Sequence, residues 1–181
     1  GMHGTFAANK AVSEADVILA VGVRFDDRVT GKLSAFAPRA RIVHIDIDPA
    51  EIGKIREPQV PIVGDLKGVL AGMVSQLGKD GASPKTKEWI NLIAEWKARY
   101  PLYHANVGDN EDEIVPEIVL KELSNRLDPA QSIIVTEVGQ HQMWAHQIID
   151  RECPRTFLSS GGLGTMGFGF PAAIGASIAE P

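Results

Sequence analysis

Three apolar runs in the first third of the chain predict buried β-strands. They are DVILAVGVR (16–24), RIVHIDIDP (41–49) and VPIVGD (60–65). None of them alternates regularly between apolar and polar residues, which is typical of strands buried on both faces of a parallel sheet. Asp65 is placed to cap a helix over residues 65–77, and a shorter helix is predicted over 9–15. We therefore expect residues 1–80 to form an α/β unit with right-handed connections.

The last third of the chain shows the same alternation of strands and helices. Strands are predicted over 132–139 (SIIVTEVG) and 156–160 (TFLSS), and helices over 115–127, 141–149 and 171–179. Between these two parts of the chain, GKDGASPK (78–85) has the composition of a domain-boundary linker. It is followed by a predicted amphipathic helix over 87–100 and a polar, acidic stretch over 101–113. The sequence thus predicts the α/β class, with parallel sheets in three αβα layers, as parts of two domains: residues 1–80, a linker over 81–111, and residues 112–181.

The composition narrows the classes of function. A formal net charge of −5 over 181 residues argues against a protein that binds nucleic acid through a basic surface. Cys153 is the single cysteine, so a disulfide framework is excluded and a cytoplasmic setting is favoured. The uncharged stretch 156–179 imitates a membrane span but holds six glycines and a proline, so we expect a buried strand, a glycine loop and a buried helix, and no membrane segment.

The glycine-rich segment after the last predicted strand contains the sharpest short motif. Gly162 to Gly167 (GLGTMG) has the pattern G-x-G-x-x-G between a strand and a helix, which lets backbone approach a pyrophosphate at a helix N-terminus. The acidic residue that completes the dinucleotide pattern, about 20 positions further on, would lie beyond Pro181. A glycine-rich turn without a ligand therefore stays an alternative.

Polar residues follow three of the predicted strands, at the end where ligands bind in α/β sheets. The stretch GQHQ (139–142) stands at a strand-to-helix junction, where free N–H groups and the helix dipole bind anions. The stretch RFDDR (24–28) offers arginines for phosphate or carboxylate, and HIDID (44–48) offers carboxylates for ribose or ribityl hydroxyls. The ordinary alternatives are water-facing helix residues, a structural ion-pair cluster and a capping aspartate. The five histidines show no zinc-ligand spacing, and no metal site is predicted.

Five longer stretches are informative in combination. They are GMHGTFAANKAVSEADVILAVGVRFDDRVTG (1–31), IDIDPAEIGK (45–54), VGDL (63–66), TEVGQHQMWAHQ (136–147) and SSGGLGTMGFGFPAAIGA (159–176). In this order, and with RFDDR combined with GQHQMWA, they resemble the acetolactate synthase (acetohydroxyacid synthase) catalytic large subunits. The resemblance implies a subunit of three α/β domains. It also implies that this chain carries the second half of the central, FAD-binding domain and the first part of the domain that binds thiamine diphosphate.

The resemblance further implies roles for particular residues. The implied flavin contacts are His3, Gly4, Arg24 and the segment from Asp46 to Asp65. Arg28 corresponds to the residue that handles the substrate carboxylate at the active-site entrance. The implied diphosphate binders are Gln140, His141 and Gln142. Gly164 and Met166 correspond to the residues that hold the aminopyrimidine, and the Met166 side chain would bend the cofactor into a V shape.

The family decarboxylates pyruvate and condenses the hydroxyethyl carbanion with a second 2-oxo acid, pyruvate or 2-oxobutyrate. The products are 2-acetolactate and 2-aceto-2-hydroxybutyrate, in the biosynthesis of valine, leucine and isoleucine. The resemblance implies thiamine diphosphate, Mg²⁺ and FAD as cofactors, a homo-oligomer, and a regulatory small subunit as a further partner. The family's activating glutamate and its G-D-G…N magnesium ligands have no counterpart in these 181 residues, so we expect the isolated chain to be inactive.

Three alternatives stay open at this level. One is another thiamine diphosphate carboligase, of the glyoxylate carboligase type or an FAD-free catabolic acetolactate synthase. The second is a dinucleotide-binding oxidoreductase domain that uses the glycine motif at 162–167. The third is a binding module without catalytic activity.

Overall fold

A computed structural model describes residues 1–80, 86–102 and 114–181. The chain divides into two compact units. Unit 1 comprises residues 1–2 and 6–100, and unit 2 comprises residues 3–5 and 101–181. Each unit contains a parallel β-sheet with helices, which confirms the α/β class.

Unit 1 is built around a three-stranded sheet. Its elements are α1 (Phe6–Glu14), β1 (Val17–Val21), α2 (Asp27–Thr30), a 3-10 turn (Leu33–Ala35), β2 (Arg41–Asp46), β3 (Val60–Val63), α3 (Leu66–Asp80) and α4 (Lys87–Arg99). The strands run parallel in the order β1-β2-β3, with Leu19 beside Val43 and Ile45 beside Ile62. Because the three strands are parallel, all their carboxyl ends lie at one edge of the sheet.

The core of unit 1 covers one face of this sheet. Its buried members are Ala20, Phe25, Phe36, Ala37, Ala40 and Ile42. The middle strand β2 is buried on both faces as expected, because Ile42 and Ile45, which point to opposite faces, are both 0% exposed. This packing fixes where each strand ends and hence where the polar residues after it lie.

The expectation that β1 and β3 are buried on both faces is wrong. In β3, Val60 is 47% and Val63 is 56% exposed. In β1, Ala20 is 2% exposed, but its neighbour Leu19 on the opposite face is 46% exposed. In this sheet β1 is an edge strand, and among the described residues only the Ala20 face receives a core cluster. An unbroken apolar run therefore indicates a strand here without showing how many of its faces are covered.

Unit 2 contains a two-stranded parallel sheet. Its elements are α5 (Pro116–Arg126), β4 (Ile134–Val135), α6 (Gln140–Ile148), β5 (Phe157–Leu158) and α7 (Gly169–Ala179). The strands are much shorter than the predicted runs 132–139 and 156–160. The last ladder bond runs from the Thr136 N–H to the Leu158 carbonyl. Beyond it, the Thr136 and Ser159 side chains bond to each other, and Ser159 also bonds to Gln142 of α6.

The expectation that the last helix is buried is also wrong. In α7 only Gly169 is buried, whereas Phe170 is 76% and Ile178 is 75% exposed. The helix contacts β4 along one side, and the rest of its apolar surface is not covered by described residues. No helix in the described part of the chain is long and apolar enough to cross a membrane.

Part of the range predicted as a linker is helical. Helix α4 lies within residues 81–111, belongs to unit 1 and packs against α1. The Phe6 and Tyr100 rings are 3.9 Å apart at their centroids. The linker residues 81–85 and 103–113 lie outside the described residues, and the boundaries 81 and 111 stay a prediction.

Candidate functional site

Helix α6 begins directly at the carboxyl end of β4 and presents its N-terminus as a possible anion site. Gly139 caps the helix with φ +152°, and a Cβ there would lie 3.1 Å from the His141 ring. The Gln140 and His141 side chains are exposed at this end. The first N–H groups of a helix lack intrahelical partners and carry partial positive charge, so this end suits a diphosphate.

Gln142 occupies a different position from its two neighbours. It is 4% exposed, and its Nε2 donates to Ser159 Oγ at 2.8 Å. The same hydroxyl lies 2.7 Å from Thr136 Oγ1, so one buried network joins α6 to the ends of β4 and β5. The sequence reasoning missed Ser159 and Thr136. Their signal was a hydroxyl residue at the end of each apolar strand run.

The glycine-rich loop leads from β5 to α7, as the motif predicts. Gly164 and Gly167 have φ +63° and +85°, a conformation that residues with side chains rarely adopt. Ser160 fixes the start of the loop by accepting the N–H of Gly164 at its carbonyl, at 2.9 Å. Met166 is 83% exposed, so the loop presents an apolar side chain outward.

Glu137 connects the end of β4 to this loop, and the sequence reasoning did not single it out. Its carboxylate accepts backbone N–H groups from Gly169, Val138 and Gly167. These hydrogen bonds lower the pKa of Glu137 below its ordinary value, because they stabilise the charged form. An acidic residue immediately after an apolar strand run was the available signal.

Three of the implied flavin residues share the carboxyl edge of the unit 1 sheet. Arg24 follows β1, Asp46 ends β2 and Asp65 follows β3. Arg24 pairs with Asp26 at 2.9 Å. The Asp46 carboxylate accepts the Asp48 N–H at 2.9 Å, which turns the chain after β2, and Asp46 is only 8% exposed. This edge is where α/β sheets bind ligands.

Arg28 lies on the short helix α2, beside a cavity of about 360 Å³. Its guanidinium pairs with Asp27 at 2.5 Å and its side chain is 53% exposed. Lys32 and Phe36 also line the cavity, which therefore combines two cations with an apolar wall. Both aspartates of RFDDR pair with arginines, and that the cluster binds a ligand stays a prediction. The exposed guanidinium stays accessible to a carboxylate.

Between the two arginines, Phe25 adopts an unusual backbone conformation. Its φ is +54°, which is strained for a bulky side chain, and it is only 2% exposed. Its ring contacts Phe36 and His44 edge-on, and His44 Nε2 lies 2.9 Å from the Val23 carbonyl. The positive φ at Phe25 changes the direction of the chain after β1. Arg24 and Arg28, on either side of it, are about half exposed.

His3 and Gly4 belong to unit 2 and contact α6. Gln147 Nε2 donates to the Gly4 carbonyl at 3.2 Å, and the His3 ring lies edge-on to His146 with centroids 4.7 Å apart. Burial, and then the neighbouring His146, lowers the pKa of His3 below its ordinary value. The structure thus brings together Arg24, Asp46 and Asp65 in one unit, and His3 and Gly4 in the other.

Possible metal ligands are sparse in the described ranges 1–80, 86–102 and 114–181. No group of three or more His, Cys, Asp or Glu side chains there could hold a metal ion.

Comparison with known proteins places these features in one class. Residues 1–73 match the family described as thiamine pyrophosphate enzyme, central domain. Residues 137–181 match thiamine pyrophosphate enzyme, C-terminal TPP binding domain, and this match contains Gln140, His141, the glycine loop and Glu137. The chain belongs to the thiamine pyrophosphate enzymes and carries parts of these two domains.

Curated relatives narrow the class further. Over the whole of this chain, it is 54% identical to the acetolactate synthase large subunit of Parasynechococcus marenigrum and covers 28% of it. It is 52% identical to the chloroplastic acetolactate synthase of Arabidopsis thaliana, covering 27%, and 48% identical to the acetolactate synthase of Mycobacterium leprae, covering 29%. The chain spans less than a third of the length of these relatives. The matches confirm the resemblance to acetolactate synthases and favour it over a dinucleotide-binding oxidoreductase.

Proposed function

We propose that these residues work as part of an acetolactate synthase large subunit. The enzyme decarboxylates pyruvate and joins the remaining two-carbon unit to a second 2-oxo acid, pyruvate or 2-oxobutyrate. The observation that carries the proposal is that the match to the TPP-binding domain coincides with the α6 N-terminus and the exposed Met166 loop. These features lie in the same unit at the carboxyl ends of β4 and β5.

The proposed cofactor contacts follow from this geometry. The free N–H groups at the start of α6 and the exposed Gln140 and His141 side chains would hold the diphosphate. Gln142 would support them from its buried bond to Ser159, which keeps α6 fixed to β5. Gly164 and Met166 would hold the aminopyrimidine. Bound thiamine diphosphate supplies the electron sink for loss of CO₂ from pyruvate.

Arg28 is proposed to bind the substrate carboxylate. Its guanidinium is always charged and offers several donors in a planar fork. This fork matches the two carboxylate oxygens of a 2-oxo acid. Asp27 occupies part of this fork, and the exposed half of the side chain borders the cavity that Lys32 also lines.

The remaining components are also proposals. FAD would bind along the carboxyl edge of the unit 1 sheet at Arg24, Asp46 and Asp65, with no net redox role. The resemblance also assigns flavin contacts to His3 and Gly4, which belong to unit 2. Mg²⁺ would accompany the diphosphate and neutralise part of its charge, as the resemblance implies. A homo-oligomer, a regulatory small subunit and a cytoplasmic location in branched-chain amino-acid biosynthesis complete the proposal. The single cysteine supports the cytoplasmic location, and the identity to the synthases supports the pathway.

The proposal is tested by expressing the subunit whose reading frame contains these residues. With pyruvate, Mg²⁺, thiamine diphosphate and FAD it is expected to form acetolactate, and removal of thiamine diphosphate is expected to abolish this. The 181-residue chain alone is expected to stay at background, because the family's activating glutamate has no counterpart in it. Acetolactate formation by the isolated chain would contradict the second expectation. Redox turnover of a nicotinamide cofactor without acetolactate would contradict the proposed function.

A further inference from the structure

Glu137 accepts three hydrogen bonds from backbone N–H groups, although it is not among the proposed cofactor contacts. Its Oε1 accepts the N–H groups of Val138 and Gly167, both at 3.0 Å, and its Oε2 accepts the N–H of Gly169 at 2.8 Å. A single carboxylate thus joins the end of β4 to the last residues of the glycine loop and the first turn of α7. Both oxygens are engaged, so the orientation of the carboxylate is fixed.

The backbone at Gly169 lies very close to the backbone at Glu137. A Cβ at Gly169 would lie 2.8 Å from the Glu137 nitrogen and 2.9 Å from its Cα, which is closer than real Cβ contacts. Gly167 has φ +85°, a conformation that favours glycine. Gly169 is therefore needed for the close approach to Glu137, and glycine at 167 is favoured by its backbone conformation.

These contacts include the peptide group that follows Met166, the residue proposed to hold the pyrimidine. The N–H of Gly167 belongs to the peptide unit that follows Met166, so the bond to Oε1 fixes the plane of that peptide. The Met166 side chain is 83% exposed, and among the described residues little else holds it in one orientation. The loop start is fixed separately, where Ser160 Oγ accepts the Thr165 N–H at 2.9 Å.

We propose that Glu137 is a positioning residue for thiamine diphosphate. Its carboxylate holds the glycine loop in the conformation that presents Gly164 and Met166 to the aminopyrimidine ring. This inference rests on the proposed cofactor role of the loop. Glu137 would act through the loop backbone, since its oxygens accept the N–H groups of Val138, Gly167 and Gly169.

The test replaces Glu137 in the subunit that contains these residues. In Glu137→Gln, one carboxylate oxygen becomes an NH₂ group that faces backbone N–H donors, so at least one of the three bonds is lost. Glu137→Asp keeps the charge but withdraws it by one methylene. Glu122→Gln is the matched control, because it makes the same change at an exposed α5 side chain that pairs only locally with Arg126.

Two measurements follow for each variant. Hydrogen exchange without cofactor is measured at the amides of Gly167 and Gly169, and the dissociation constant of thiamine diphosphate is measured by calorimetry with Mg²⁺. We expect Glu137→Gln to exchange faster at both amides and to weaken cofactor binding about 10-fold or more, as loss of a charged hydrogen bond does. The KM for thiamine diphosphate should rise while the KM for pyruvate changes little. Glu122→Gln should match the wild type.

The outcomes separate this inference from the proposed function. If the wild type does not bind thiamine diphosphate, the proposed function fails and this inference fails with it. If the wild type binds and Glu137→Gln binds equally well, only the inference is overturned, even where the loop amides exchange faster. If Glu137→Gln does not fold, Glu137→Asp decides: weaker cofactor binding in a folded variant supports the inference, and unchanged binding or failure to fold overturns it.

Discussion

At the residue scale, the two arginines of RFDDR pair with aspartates one or two positions away. Arg24 pairs with Asp26 and Arg28 with Asp27, and both arginine side chains are about half exposed. Exposed pairs of this kind contribute about 0–1 kcal/mol to stability. They orient the guanidinium groups without using all five of their N–H donors. The charge cluster is thus compatible with binding an anion and contributes little to the fold.

Arg28→Ala in the full enzyme is expected to raise the KM for pyruvate. The variant removes a charged hydrogen bond worth about 1.5–3 kcal/mol, which corresponds to a rise of about 10- to 100-fold. The free energy of unfolding should change by less than about 1 kcal/mol, because the lost ion pair is exposed. Steady-state kinetics and urea unfolding measure the two effects separately.

Arg39→Ala is the matched control for Arg28. Arg39 is also an exposed arginine of unit 1, paired with Glu14, and it does not line the Arg28 cavity. It should leave the KM for pyruvate unchanged. Equal KM values for the wild type and Arg28→Ala would remove the role proposed for Arg28.

His3 is expected to make the stability of unit 2 depend on pH. Burial and the nearby His146 lower its pKa in the folded protein, while the unfolded chain takes up the proton near pH 6.5. The stabilising contribution is therefore present above about pH 6.5, and it is lost as the pH falls from there through the folded pKa. We expect the free energy of unfolding to fall between pH 7.5 and pH 5.5, measured by urea titration of Trp144 fluorescence in a chain whose other tryptophans are replaced by phenylalanine.

His3→Gln should flatten this pH dependence, since glutamine does not titrate. His141→Gln removes an exposed histidine from the same unit and should keep the wild-type slope. If the slopes of His3→Gln and the wild type coincide, another group causes the pH dependence.

At the element scale, helix α3 shows how a short sequence signal defines an element. Asp65 follows β3, and its Oδ1 accepts the N–H groups of Lys67 and Gly68 at 3.1 and 3.3 Å. The helix start predicted from the sequence is therefore confirmed. An aspartate at this position is recognisable because it satisfies N–H groups that have no partner inside the helix.

Asp65→Ala is expected to destabilise unit 1 by about 0.5–2 kcal/mol, the usual effect of losing an N-cap. Asp65→Asn keeps a capping oxygen and should be near the wild type in stability. The measurement is urea unfolding followed by Trp89 and Trp96 fluorescence, with Trp144 replaced by Phe. The same pair of variants separates two roles: if Asp65 binds flavin through its charge, Asp65→Asn should weaken FAD binding while stability is kept.

The helices were easier to predict than the strands of the second sheet. Pro116 at the start of α5 and Gly139 before α6 are local signals, and both helices begin within one residue of the expected position. The apolar run 132–139 became the two-residue strand β4, which pairs with the equally short β5, and the Glu137 carboxylate then bonds to the glycine loop. Those partners lie 20 to 30 residues away, and no local pattern contains them.

At the scale of the whole molecule, the order of motifs along the chain was the reliable guide. The structure has two α/β units, each with a parallel sheet, and the chain matches two domains of thiamine pyrophosphate enzymes. The division into two partial domains joined by a linker stays a prediction. The placement of α4 was less clear. Its amphipathic pattern predicted a helix, but only the contact with α1 assigned it to unit 1.

The sequence by itself determined the fold class, most of the element positions and the resemblance to acetolactate synthases. These depend on local patterns, such as apolar runs, caps and short glycine motifs, that can be recognised without three-dimensional contacts. Only the tertiary structure decided which strand faces are covered, that Gln142 is buried against Ser159, and that Glu137 joins β4 to the glycine loop. The physical reason is that burial and hydrogen bonding between distant residues depend on how the elements pack, and that packing brings together residues that no short segment contains.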